Sequence, residues 1–155
     1  MRNRVVWRLA AGFSETRIGV DVSPGMLAQA EVSGFYIRLV HQDIVEYLIK
    51  APENSVDLVA AVYVFRYLED LQSVVEFAHR IVKTDGLLAF TVEATDDDAV
   101  TLARSPRYRH PVRFLEALCN QHRYRPIVAE SQIIRTEGGL PCWGWMMVWS
   151  KREAE

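Results

Sequence analysis

Short aliphatic and β-branched runs alternate along this chain with segments whose apolar positions recur every three or four residues. That alternation is the signature of an α/β fold. Val5, Val6, Leu9 and Ala10 sit at helical spacing before Gly12, which fits a short helix closed by a glycine; a strand is the other reading there. Residues 17–22 read as a buried strand. Ser23 then stands as N-cap and Pro24 as the first residue of a helix carrying Met26, Leu27 and Ala30. A second strand is expected over 36–42, and Asp43 opens a helix carrying Val45, Leu48 and Ile49, with a turn at 52–55.

Residues 56–64 are nearly continuous in apolar character, as a central parallel strand covered on both faces would be. Leu71, Val74, Val75, Ala78, Ile81 and Val82 repeat at helical spacing and predict an amphipathic helix that ends in a turn at 83–86. A strand over 87–92 follows. Residues 95–109, with three consecutive aspartates and Pro106, read as a loop with one helical turn, and loops of that length inside a compact domain are often functional. Pro111 starts a helix with Phe114, Leu115 and Leu118 on its apolar face. Two closing strands, 127–135 and 142–150, flank Gly138 and Gly139 and are close enough in sequence to require an antiparallel hairpin. Trp143, Trp145, Met147 and Trp149 alternate onto one of its faces, read as hairpin packing.

The chain's 155 residues, half of them hydrophobic, predict one domain over 1–155. Eighteen basic residues nearly balance twenty acidic ones, which argues against nucleic acid or an anionic membrane as partner. No apolar run approaches the roughly 20 residues of a membrane helix. Cys119 and Cys142 lack C-x-x-C spacing and read as reduced packing residues of a cytoplasmic protein.

The segment Gly19-Val20-Asp21-Val22-Ser23-Pro24-Gly25-Met26-Leu27 resembles the second-strand motif of class I S-adenosylmethionine-dependent methyltransferases. Asp57-Leu58-Val59 with Tyr67-Leu68 resembles that family's fourth-strand motif, and 82–88 its turn before the fifth strand. The order of elements, closing hairpin included, is similar to that fold from its first helix onward. Arg107-Tyr108-Arg109-His110 with Phe114 also resembles an element of methyltransferases often fused to tetratricopeptide repeats.

The resemblance implies a Rossmann-like, mostly parallel sheet with S-adenosylmethionine as cofactor. Ligands bind such sheets outside the carboxyl ends of the strands. Asp21 would accept from two ribose hydroxyls, Val22 and Met26 would flank the adenine, Asp43 would accept from its amino group and the Ile44 N–H would meet a ring nitrogen. Each aspartate has the plainer reading of a strand-end or helix-capping carboxylate. Tyr63 stands on the cofactor side where the family usually carries an acid or amide. On the acceptor side, Arg107 and Tyr108 would shape the pocket and, if the acceptor needs deprotonating, His110 is the histidine placed to take the proton; the plainer readings are a solvated charged loop and a helix-start residue before Pro111. The acceptor is expected to be a small molecule or a protein.

Met1-Arg2-Asn3 offers no glycine-rich loop, so the domain is expected to be N-terminally truncated, without its first strand, with cofactor binding and methyl transfer impaired. That strand would fill the sheet centre, so a protein that is poorly stable or self-associates through the unfilled edges is expected. The rival reading is a non-catalytic binding or scaffold module. A nicotinamide oxidoreductase, the third, is disfavoured by the hairpin and the missing G-x-G-x-x-G.

Overall fold

A computed structural model describes residues 16–103 and 106–153. The segment at 5–10 and the expectation of a missing first strand lie outside these residues. The first described unit is a parallel pair, β1 (Ile18–Asp21) and β2 (Arg38–His41), in register from Ile18 opposite Arg38 to Asp21 opposite His41. Between them runs α1 (Pro24–Ser33), with Pro24 in its first turn. The Ser23 hydroxyl accepts the Met26 N–H at 3.3 Å and so satisfies one of the donors a helix start leaves unpaired. After β2, Asp43 caps α2 (Ile44–Lys50).

A second, six-stranded sheet holds the larger core. Its order is β5 (Thr101–Leu102), β6 (Tyr108–His110), β4 (Val82–Ala94), β8 (Leu140–Lys151), β7 (Tyr124–Glu137), with β3 (Val56–Ala61) also on β4. β3 and β6 run parallel to β4, whereas β8 is antiparallel to it and to β7. Gly138 and Gly139, at φ 56° and 80°, form the two-residue turn of the hairpin; positive φ at both positions matches the strands' twist. On one face α3 (Leu71–Ile81) and α4 (Val112–Gln121) cover Leu88, Phe90, Val92, Met147 and Trp149. The other face carries a smaller cluster of Leu87, Ala89, Met146 and Val148. The two sheets share no strand pairing among the described residues. They are joined where α2 meets α3: Arg80 donates to the Leu48 and Ile49 carbonyls at 2.7 and 2.9 Å, satisfying acceptors at the end of α2.

Four expectations from the sequence are corrected. β3 stops at Ala61 because Tyr63 takes φ 64° and a 3₁₀ turn, Phe65–Tyr67, follows; Asp57 and Ala60 are exposed, so this strand is not covered on both faces. The turn expected at 83–86 is absorbed into β4 as a bulge, with Asp85 at φ 61° and the register jumping between Val56 and Leu58. Residues 95–109 hold the short strands β5 and β6 rather than a helical turn. His110 therefore lies not in a loop but at the end of β6, beside Ala94.

Candidate functional site

The carboxyl ends of β1 and β2 lie side by side: the Gln42 N–H donates to the Asp21 carbonyl at 3.1 Å, and His41 Nε2 lies 2.9 Å from the Val22 carbonyl. Asp21 Oδ1 accepts the Ser23 N–H at 2.7 Å, which fixes the carboxylate. Its second oxygen has no partner among the described residues. Val22 and Met26, next to it, are 60% and 53% exposed, an unusual state for two apolar side chains flanking one carboxylate. Asp43 Oδ1 accepts the Val45 and Glu46 N–H groups at 2.8 and 3.2 Å, so this residue is occupied as a helix cap. Ile44 is the first residue of the helix that Asp43 caps, where the backbone N–H has no intrahelical acceptor.

Tyr63 lies just past β3, beside the other sheet, where its N–H donates to Thr91 Oγ1 at 2.9 Å. It begins a cluster that the sequence did not announce. The Arg66 guanidinium lies over the rings of Tyr63 and Tyr67, 5.3 and 5.0 Å from their centroids, and Nη2 donates to the Tyr67 hydroxyl at 3.1 Å. Arg107, immediately before β6, lies close enough to that hydroxyl to act on its ionisation, and 3.9 Å from Glu137. Burial works against ionisation of the Tyr67 phenol, but hydrogen bonds and charge from Arg107 and Arg66 outweigh it and hold the pKa below its ordinary value. Tyr108 donates to Glu69 at 3.5 Å. The structure thus brings Tyr63, Arg107 and Tyr108 together with Arg66, Tyr67 and Glu69.

His110 is fully buried and stacks on Phe114 with ring centroids 6.0 Å apart. Neither ring nitrogen has a hydrogen-bond partner; the Leu68 backbone is close enough to favour the charged ring slightly but falls short of bonding geometry. Burial dominates and pushes the pKa down to about 4, so the ring is neutral at physiological pH. A buried ring with both nitrogens walled in does not reach an acceptor, and the expected role as base is withdrawn.

At the upper end of β4 a solvent-open cavity of about 440 Å³ is bordered by Glu93, Thr95, Asp96, Arg109, Trp143 and Trp145. Glu93 is 1% exposed and accepts from Arg135 Nε and Nη2 at 2.8 and 3.4 Å, with Arg109 at 3.8 Å. Glu93 first, then Glu137 at 2.9 Å, hold the Arg135 guanidinium above its usual range. The β7 bulge between Ile133 and Arg135 accompanies this pairing. Trp145 and Trp149 pack with the main core, whereas Trp143 is 52% exposed at the cavity. Cys119 is buried, its thiol pushed up to about 11 by burial, and both cysteines are free. No group of metal ligands occurs among the described residues, and no helix there is long and apolar enough to cross a membrane.

A family model described as a methyltransferase domain matches residues 4–90. The chain is 30% identical over 116 residues to the trans-aconitate 2-methyltransferase of Enterobacter sp. strain 638, covering 73% of this chain and 45% of that protein. It therefore spans less than half the length of this curated relative. Among solved structures, a SAM-dependent methyltransferase from Methanosarcina mazei superimposes with a TM-score of 0.72 at 13% identity, covering 97% of this chain and 88% of that one. The 1,6-didemethyltoxoflavin-N1-methyltransferase of Burkholderia thailandensis, solved with S-adenosylhomocysteine, gives 0.68 at 17% identity over 98% and 68%. At these identities the likeness is one of fold.

Proposed function

This chain belongs to the methyltransferase domain family, and on that premise we propose that it transfers the methyl group of S-adenosylmethionine to a small-molecule acceptor. The observation that supports the cofactor's place is the Asp21 edge: a carboxylate fixed through one oxygen, the other unpaired, between exposed Val22 and Met26. An ionised carboxylate with a free oxygen suits a pair of ribose hydroxyls, and two exposed apolar side chains suit a planar purine. Asp43 fits less well as a direct contact, since its Oδ1 serves the helix; its second oxygen and the Ile44 N–H remain for an adenine. When bound, the cofactor supplies an electrophilic methyl group on a sulfonium. This chain's part is to position: β1 and β2 hold the nucleoside, and the loop after β3 with β6 holds the acceptor. In-line displacement from a sulfonium proceeds largely by orientation, so a buried, neutral His110 costs the reaction nothing.

The named acceptor of the curated relative, trans-aconitate, is a small carboxylate, which favours a small-molecule acceptor over a protein. Two free cysteines agree with a cytoplasmic setting. The test is calorimetry with S-adenosylhomocysteine. Asp21→Ala is expected to weaken binding by about tenfold or more, since two ligand hydroxyls lose a charged partner, whereas Glu31→Ala on α1 leaves it unchanged. Equal affinities for the two variants would make Asp21 a surface carboxylate and remove the support for this reading.

A further inference from the structure

Arg66 is a cation without an anion. No carboxylate lies within 4 Å of its guanidinium among the described residues, and its buried Nε–H has no hydrogen-bond acceptor there. The other cations around the acceptor side are matched: Arg135 by Glu93 and Glu137, Arg109 by Glu93, Arg113 by Asp98. The guanidinium is nonetheless held in place, stacked over Tyr63 and Tyr67 and bonded to the Tyr67 hydroxyl. A planar fork fixed by stacking loses little freedom when it binds, which is the arrangement that recognises carboxylates. Its place matters equally. The 3₁₀ turn Phe65–Tyr67 begins four residues past the carboxyl end of β3, on the edge where parallel sheets bind ligands, and the Arg107 charge acts on the same Tyr67 hydroxyl.

We propose that Arg66, Tyr67 and Arg107 form an anion subsite that holds a carboxylate of the methyl acceptor. This rests on the methyltransferase reading and narrows it to acceptors that carry a carboxylate. Arg66 supplies the guanidinium charge, held in place over the two tyrosine rings. Tyr67, 51% exposed, adds a hydroxyl at the mouth, and Arg107 adds a second positive charge beside it. The planar guanidinium of Arg66 matches the planar, two-oxygen geometry of a carboxylate. Glu69 does not fill the role of internal anion, because it is turned to the Tyr108 hydroxyl.

Calorimetry on the 155-residue chain tests this with S-adenosylhomocysteine in one series and trans-aconitate, succinate, benzoate, inorganic phosphate and the trimethyl ester of trans-aconitate in another. At least one carboxylate should bind, and the neutral ester should not. Arg66→Gln should weaken that carboxylate by about tenfold or more while S-adenosylhomocysteine affinity stays put, as expected for hydrogen bonds between charged groups. Arg66→Lys, which keeps the charge and loses the fork, should fall between. Arg113→Gln, on the exposed pair with Asp98, should leave both ligands unaffected. The proposal is overturned if no carboxylate binds in an Arg66-dependent way, if phosphate binds at least as tightly, or if Arg66→Gln weakens S-adenosylhomocysteine instead, which would give Arg66 to the cofactor. Arg66-dependent carboxylate binding in a chain that fails to bind S-adenosylhomocysteine would keep the subsite and remove the methyltransferase reading.

Discussion

His110 makes the acid limb of the stability curve calculable. Its ring is fully buried, unbonded and pushed down to about 4, whereas in the unfolded chain it titrates near 6.5. Above pH 6.5 both states hold it neutral, and it contributes no pH dependence. As the pH falls below 6.5 the unfolded chain takes up the proton first, so stability is lost, at about 1.4 kcal/mol per pH unit, until the folded ring titrates near 4. The interval of about 2.5 units corresponds to roughly 3 kcal/mol, a large part of the 5–15 kcal/mol typical of a domain. His110→Gln keeps a similar shape and cannot titrate. Urea unfolding at pH 7, 6, 5 and 4 should therefore show the stability difference, wild type minus variant, falling by roughly 3 kcal/mol across the series. Subtracting the variant cancels other acid-sensitive groups, such as His79, whose pKa is lowered chiefly by burial and then by Lys151, His122 and Arg123. A difference that stays constant from pH 7 to pH 4 would refute the argument and show that the ring finds a partner when charged.

Two further outcomes follow from packing. Gly144 lies where β8 crosses β4, and a Cβ there would overlap the Val92 carbonyl and stand 2.7 and 2.9 Å from two carbons of Ile134; Gly144→Ala should cost about 1–3 kcal/mol or more in urea unfolding, and an unchanged midpoint would mean the strands give way freely. Glu93→Gln leaves Arg135 without its main partner in a place where Glu93 was 1% exposed; the loss should be roughly 3 kcal/mol, smaller when Arg135→Gln is added, and strictly additive losses in that double-mutant cycle would show the pair to be uncoupled.

Much of the frame was legible because local chemistry and tertiary context agree. Ser23-Pro24 marks a helix start through donors that need a cap and a fixed φ, and Gly138-Gly139 marks a hairpin through positive φ at both positions. The helix at 71–81 follows from spacing alone. The misreadings occur where tertiary pairing overrides a local signal. Three aspartates and a proline looked like a loop, yet the extended end of β4 offers Glu93 and Ala94 as partners, and β6 forms on them. Residues 62–64 continue the apolar run of β3 but leave the sheet, since Tyr63 takes a positive φ and passes its N–H to Thr91. Signals for the missed site residues were present. Glu93 is a lone acid in an apolar run, which in a buried strand demands a cationic partner, and Tyr63, Arg66 and Tyr67 share the spacing that brings side chains together over one turn.

The distribution of charge around the proposed acceptor subsite singles out Arg66, rather than any neighbour, as the residue that would select. An arginine already bonded to a buried carboxylate has lost most of its desolvation cost and much of its capacity, and a ligand anion gains little by competing with Glu93 for Arg135. Arg109 shares that same glutamate at 3.8 Å, and its N–H groups face an open cavity where water competes. Arg66 differs: it is held by rings rather than by charge, and no carboxylate lies within 4 Å of it among the described residues. Stacking orders a cation without neutralising it. A site built this way is ready before the ligand arrives, and its selectivity lies in the ligand's charge and planarity.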